Sequence, residues 1–323
     1  MRFVILGAGA LGSIIAGHLA RAGDDVTVVA RGDRAGYVRQ HGITLTGRVD
    51  FTIACPVITD PVALRGADVL IVAVKTYDMA AALAPLRHLQ VATVLSVQNG
   101  VLKNAQLAEA FGAEKTVGAA TFLSGEVLPD DLVRCTANQV LYVGEIPAGT
   151  SARVQQLVEA LARAGLQTEA TAHIQTIEWS KFVAWIGSMT VAVLTRLETY
   201  KFFSDPDTAL VCTRLMRETA RLAAQWGIAL VDMPAFPVHT IISGTEEEGV
   251  ETLRERGAQM QARASMQRMS SLQDLERGRQ IEVEETLGYV VANAATAGLA
   301  VPTVDLCYRL LSGINRCVQR VRG

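Results

Sequence analysis

Aromatic residues make up only 5% of the 323-residue chain, which fits an Ala/Val/Leu-rich α/β or helical protein better than an all-β one. Cysteine is scarcer still, with five residues. Cys55, Cys135, Cys212, Cys307 and Cys317 are odd in number, lie far apart and form no C-x-x-C, so they suggest neither a disulfide framework nor a zinc site, and most of them read as small core residues. The histidines, His18, His41, His88, His173 and His239, lack ligand spacing, and no Gly-x-Ser-x-Gly is present, which argues against a metal centre and a serine-hydrolase nucleophile. A net charge of -2 without a concentrated basic run argues against nucleic acid as the main partner. Arg316, Arg320 and Arg322 read as a solvated helix end. The longest uncharged stretch in the second half, Phe182 to Thr195, is bounded by Lys181 and Arg196. It falls short of the roughly 20 apolar residues of a membrane span, so it reads as a buried helix and no membrane partner is expected. Met1 to Leu6 runs straight into a glycine turn with no leader-like stretch, and a cytoplasmic location is the expectation.

What is present is half hydrophobic and too long for one core, so two domains are expected. In the first half, short Val/Ile/Leu runs (Arg2–Leu6, Asp25–Ala30, Val69–Val74, Thr93–Val97) alternate with helical stretches, the pattern of a parallel sheet covered by helices. Thr116–Phe122, Val133–Cys135 and Gln139–Val143 read as antiparallel strands finishing that sheet. Gly144 to Gly149 then breaks the pattern, and Ser151 can cap a helix to about Arg163. Helical periodicity dominates afterwards: Thr176–Arg196, Asp207–Trp226, Glu246–Met269, Gln273–Gly298 and Val304–Arg320. The expected fold class is α/β, with a Rossmann-type dinucleotide-binding domain over 1–170 and an all-helical domain over 171–323.

Gly7-Ala8-Gly9-Ala10-Leu11-Gly12 follows a strand and opens a helix, the context that gives a G-x-G-x-x-G meaning. Gly7 permits the tight turn, Gly9 lets the backbone approach a pyrophosphate, and Gly12 allows close helix–strand packing. The helix N-terminus then offers N–H groups to phosphate. An Asp or Glu about 20 residues on would receive the ribose hydroxyls of NAD, whereas an Arg accommodates the 2′-phosphate of NADP. Here that position is Arg31, with Arg34 close behind, so NADPH is the expected cofactor.

Further polar residues end two strands at the edge where open α/β folds bind ligands: Lys75-Thr76, and Gln98-Asn99-Gly100. Glu178-Trp179-Ser180-Lys181 begins the apolar helix. Much later comes Ser270-Ser271-Leu272-Gln273-Asp274, followed by Gly278-Arg279 and Glu282. This set, in this order and spread over nearly the whole chain, resembles the ketopantoate reductase (2-dehydropantoate 2-reductase) family. The resemblance implies NADPH-dependent reduction of a small 2-oxo acid. It makes Lys181 the general acid and Glu282 its partner carboxylate in the cofactor and substrate cleft. It turns Lys75 and Asn99 toward the nicotinamide and its ribose, sets Ser124 beside the cofactor and gives Ser270 to the substrate.

The chain also departs from the family pattern. Four and eight residues after the lysine the family carries substrate-binding asparagines, and here those positions are Trp185 and Met189. Residues at such spacing share a helix face, so both should line one wall with Lys181. Thr199 and Gln267 replace two further asparagines. A substrate bulkier or more apolar than ketopantoate is one expectation from these changes, and side chains turned into the core are the other. A non-catalytic NADP(H)-binding sensor and an enzyme of similar architecture, such as an opine or sugar-acid dehydrogenase, are the competing classes. Retention of Lys181 and Glu282 counts against the sensor. Helical C-terminal domains often pair, so a homodimer is compatible with the sequence, which leaves the oligomeric state open.

Overall fold

The first apolar run forms β1 (Arg2–Leu6), whose residues Phe3 to Leu6 are all buried, as a parallel strand covered on both faces must be. A glycine turn leads to α1 (Ala10–Arg21). Next in the chain are β2 (Asp25–Val29), α2 (Gly32–His41), β3 (Ile43–Gly47), β4 (Phe51–Ile53), β5 (Val57–Ile58), β6 (Gly66–Val72), α3 (Met79–Leu83), β7 (Gln90–Ser96) and α4 (Leu102–Phe111). Five of these strands lie in one parallel sheet in the order β5-β2-β1-β6-β7. The order reverses beside β1, which places the ligand crevice of such a sheet at the carboxyl ends of β1, β2 and β6. Alternate residues serve opposite faces: Phe3 and Ile5 join one apolar cluster with Ile14 and Ile15 of α1, and Val4 and Leu6 join another with Leu83 and Leu107. The computed structural model describes residues 1–234, 236–264 and 268–320.

The N-terminal half continues with β8 (Val117–Thr121), β9 (Ser124–Val127), β10 (Val133–Ala137), β11 (Leu141–Glu145), α5 (Ala152–Arg163) and β12 (Thr168–Ala170). β8 and β11 pair antiparallel, with β12 added alongside β11, and one bridge from Val94 to Thr116 links this group to β7. The run Val133–Cys135 does not finish the main sheet as expected. β10 pairs parallel with β3 and antiparallel with β9 in a separate sheet, β4-β3-β10-β9. The reason is its alternation: Val133 and Cys135 are buried while Arg134 and Thr136 face out, which suits a sheet with one wet face. β8, buried at every position, belongs in the interior. Ser151 caps α5, its Oγ accepting from the Val154 amide.

The chain divides into two compact units, Met1–Glu178 and Trp179–Gly323, so the boundary falls inside α6 (Ile174–Thr195), beyond the expected residue 170. The start of this helix belongs to the N-terminal unit because Ile174 fills the space left by two glycines of the sheet: a Cβ on Gly118 would lie 2.7 Å from its Cγ1, and one on Gly144 2.9 Å from its Cβ. Glu178 then closes a buried ionic network. Its carboxylate lies 3.3 Å from Lys103 Nζ on α4, with both side chains 3% exposed. It accepts from the Ala119 amide at 3.0 Å and from Asn104 Nδ2 at 2.6 Å. Lys103 also donates to the carbonyls of Gln98, at 3.1 Å, and Ala119, at 2.5 Å. Burial pushes the Lys103 ammonium below its ordinary pKa, and Glu178 opposes that shift.

The C-terminal unit continues with α7 (Thr199–Ser204), α8 (Pro206–Gln225), α9 (Val238–Ser243), α10 (Glu246–Ala264), α11 (Ser270–Glu276), α12 (Tyr289–Thr296) and α13 (Pro302–Arg320). α6 is long and apolar enough to cross a membrane by length and composition, yet most of that stretch is buried inside the protein, which makes it a core helix. Gly187 lets α8 approach, since a Cβ there would fall 2.8 Å from Met216 Cγ. α10 packs on α7, α8 and α9, and α13 on α8. Arg196, at φ 56°, ends α6. Asp205 starts α8, its carboxylate accepting from the amides of Asp207 and Thr208. Four cysteines are core residues, as expected, and burial pushes the thiols of Cys55 and Cys307 up to about 11.

One expected helix is broken. Gln273–Gly298 does not run through, because Gly278, at φ 63°, takes the left-handed position after α11. Its amide bonds to Leu275 O and the Arg279 amide to Asp274 O, the paired closure of a Schellman end. The chain resumes helical form only with a π-helical turn, Glu284–Gly288, before α12.

Removing one partner of a buried ion pair leaves the other charge uncompensated, at a cost of about 3–5 kcal/mol. Lys103→Met should therefore lower the urea-unfolding free energy by about that amount. Adding Glu178→Gln, which keeps an acceptor for the Ala119 amide, should restore much of it. Equal losses in the single and double variants would contradict this account of the pair.

Candidate functional site

The glycine turn is shaped by contacts that exclude side chains. Gly7 has φ 110° and its amide bonds Val29 O at 2.9 Å. A Cβ on Gly12 would fall 1.9 Å from the Gly7 carbonyl oxygen, while one on Gly9 would meet nothing within 4 Å. Gly12 thus seats the helix on the turn, and Gly9 leaves open space above its own backbone. Gly9 is also the N-cap of α1, with no side-chain cap, so Ala10 and Leu11 begin a helix whose first amides meet no side-chain acceptor among the described residues. This cradle fits a pyrophosphate.

The two arginines after β2 have different roles. Arg34 is part-buried. Its Nε donates to Ala8 O at 2.9 Å, one terminal nitrogen to Ser13 Oγ at 3.1 Å and the other to Asp131 O at 2.5 Å. Burial lowers its pKa and Asp131 partly offsets this. It straps α2 to the glycine turn and is committed there. Arg31 is 79% exposed and pairs only with Asp78, at 2.9 Å, among the ion pairs of the described residues.

Lys75 and Asn99 follow β6 and β7 as expected, both half-buried, and the turns that carry them are cross-braced. Gln98 Nε2 donates to Val74 O at 2.8 Å, while Gln98 Oε1 accepts from Ser96 Oγ at 2.9 Å. Lys103 holds the Gln98 carbonyl from below. Ser124, exposed at the start of β9, lies 2.7 Å from Thr136 through its hydroxyl. All of these belong to the N-terminal unit.

In the C-terminal unit Lys181 is half-buried near the start of α6. The preceding Ser180 is wholly buried and accepts from the Val231 amide at 3.0 Å. Trp185 keeps 8% exposure and Met189 none. Of the two departures from the family pattern, only Trp185 retains surface, and Met189 packs in the core. Thr199 is buried, and its hydroxyl has no partner among the described residues. Gln267 lies outside the described residues. Ser270 is exposed at the first position of α11, with Leu272 and Leu275 turned inward.

Glu282 is not the solvated helix carboxylate its neighbours Glu284 and Glu285 would suggest: it is 4% exposed. It sits in the irregular stretch between α11 and the π-helical turn, and the Thr286 hydroxyl donates to its backbone carbonyl. Asn315 of α13 clamps the preceding residue, accepting from the Ile281 amide at 3.0 Å and donating to the Ile281 carbonyl at 3.2 Å. Tyr308 donates to the Glu284 carboxylate at 2.7 Å. π-helical turns are rare and often mark functional positions. Sequence reasoning passed over Asn315 and Asp78. Asn315 carried a signal, being a polar residue one turn after Leu311 on the buried face of α13.

Three comparisons bear on this geometry. The chain matches the family model described as ketopantoate reductase PanE/ApbA over residues 3–148, and the model of its C-terminal part over residues 173–315. A 2-dehydropantoate 2-reductase of Halobacterium salinarum is 30% identical over 325 residues, covering 99% of this chain and 99% of its own length. Among solved structures, a ketopantoate reductase of this family from Ralstonia eutropha has a TM-score of 0.84 at 23% identity, covering 99% of this chain and 100% of its own. D-mandelate dehydrogenase, solved with NADH and anilino(oxo)acetate, has a TM-score of 0.86 at 16% identity with the same coverage. The sheet-based first unit and the helical second unit thus match those of known oxidoreductases, and the chain belongs to the ketopantoate reductase family.

Proposed function

We propose that this protein uses NADPH to reduce a 2-oxo acid to the 2-hydroxy acid, in the manner of 2-dehydropantoate going to pantoate. The observation that carries the reading is the buried Glu282 carboxylate on its anchored turn, because a solvated surface glutamate would need no such support. The family membership supports the reaction class. Arg31, exposed at the end of β2, supports the phosphorylated cofactor, and the open face of Gly9 supports its pyrophosphate.

When bound, the reduced nicotinamide supplies a hydride to the carbonyl carbon. The chain's own task is to manage the charge this leaves on oxygen. Lys181 holds the proton that the oxygen takes up, so the alkoxide is neutralised as it forms and the lysine is recharged from solvent. Glu282 keeps the lysine oriented and favours its charged form. Lys75 and Asn99, on braced turns, hold the cofactor's nicotinamide half, Ser124 lies beside the cofactor, and Ser270 takes the substrate.

A second reading concerns the substrate's side chain. Trp185 stands where the family places a polar contact and keeps some exposure, which favours a bulkier, more apolar 2-oxo acid. The D-mandelate dehydrogenase neighbour was solved with anilino(oxo)acetate, a ligand carrying an aromatic ring, on the same fold.

Following NADPH absorbance, Lys181→Ala should lower kcat by roughly 100- to 10,000-fold, the usual range for losing a general acid, with NADPH affinity unchanged. Full activity in that variant would remove the assigned acid. In a panel running from ketopantoate to larger apolar 2-oxo acids, Trp185→Asn should move the kcat/KM ratio toward ketopantoate by roughly tenfold or more. An unchanged ratio would leave Trp185 without a part in substrate choice.

A further inference from the structure

The ion pair between Arg31 and Asp78 joins the residue just beyond β2 to the turn just beyond β6. Those two strands flank β1 on its two sides, so the pair links the segments on either side of the glycine turn that β1 feeds. Asp78 closes a short 3₁₀ turn, Thr76–Asp78, that runs directly into α3, and its own backbone is helical. Its carboxylate meets the Arg31 guanidinium at 2.9 Å.

Resting on the NADPH reading above, we infer that Asp78 is a specificity-determining residue that sets how strongly the site prefers the phosphorylated cofactor. A 2′-phosphate carries up to two negative charges near neutral pH. To bond Arg31 it must share the guanidinium with the Asp78 carboxylate or displace it, and in either case it lies beside that like charge. A ribose 2′-hydroxyl has the opposite relation, since it donates a hydrogen bond to a carboxylate, the contact that NAD-binding domains make through an acid at the end of their second strand. Here the acid comes from the turn after β6 and the arginine from the end of β2, so one site holds a partner for each cofactor. Asp78 thus weakens NADPH and favours NADH, narrowing a preference that Arg31 alone would make wide. An exposed pair of this kind is weak, so it yields to phosphate without disturbing the fold.

The test is titration of NADPH and of NADH, by nucleotide fluorescence, into the whole protein and its Asp78→Asn, Asp78→Glu and Arg31→Ala variants. Asp78→Asn should tighten NADPH roughly fivefold, the scale of one unit-charge repulsion at contact in water. It should weaken NADH, and both effects should shrink at high salt. Asp78→Glu, which keeps the charge, should hold the wild-type ratio. Arg31→Ala should weaken NADPH alone. An unchanged ratio in Asp78→Asn, or a parallel loss of both nucleotides, would overturn the role of Asp78 while leaving the cofactor reading intact. A wild-type protein that binds neither nucleotide would overturn the cofactor reading itself.

Discussion

Gly12 has no room for a side chain. With a Cβ there 1.9 Å from the Gly7 carbonyl oxygen, α1 could not begin against the turn, and the rest of the N-terminal unit is arranged around that approach. α1 packs on β1 and β2 and also on β3, β4, β9 and β10, so it is the layer shared by the parallel sheet and the second sheet. Ile14, Ile15 and Leu19 are wholly buried between them, each contributing about 1.5–3 kcal/mol by the usual scale. Gly17 repeats the device one layer out, where a Cβ would stand 3.3 Å from Leu45 Cδ1. The geometry that exposes amides to a ligand at one end of α1 is the same geometry that seats the sheet carrying Ser124.

Around this frame the charged residues divide by burial. Lys103 and Glu178 are placed inside and Arg34 is part-buried, and each satisfies backbone groups: Lys103 the carbonyls of Gln98 and Ala119, Glu178 the Ala119 amide, and Arg34 the carbonyls of Ala8 and Asp131. Buried charge is tolerable only when hydrogen-bonded in this way. The result is a set of turns whose shapes are held from beneath. Arg31 is the opposite case, a cation left in water beside the Asp78 carboxylate, and so able to exchange partners at small cost.

Much of this was legible from residue order. The parallel strands show as uninterrupted Val/Ile/Leu runs because they are buried on both faces, and the glycine turn shows because strand, turn and helix coincide with it. The rest was hidden for physical reasons. β3, β4 and β9 are short, with one face partly wet, so no apolar run marks them. β10 alternates, and alternation says that one face is wet without saying which sheet owns it. Arg31 and Arg34 look alike three residues apart. Only the fold shows that one turns inward to Ala8 and Ser13 and the other outward. Met189 likewise shares a helix face with Trp185 in a helical projection, but α6 is so enclosed that a position two turns beyond Lys181 is already core.

The stretch around Glu282 shows why periodicity failed at the place that matters most for the chemistry proposed. A continuous helix from Gln273 to Gly298 would have given each side chain a regular bearing, with Glu282, Glu284 and Glu285 sweeping through most of a turn. Gly278 stops the helix instead, and the π-helical turn at Glu284–Gly288 changes the bearing of α12. Such a segment loses ladder hydrogen bonds, and α13 replaces them: Asn315 takes both backbone groups of Ile281, while Tyr308 and Ser312 hold the Glu284 carboxylate. The irregular backbone is thereby fixed from a neighbouring helix. Glutamates two residues apart face different surroundings, with Glu282 buried and Glu284 exposed. Local rules of helix formation are broken here while a second element supplies the order, which is where a carboxylate needing a defined position is expected to lie.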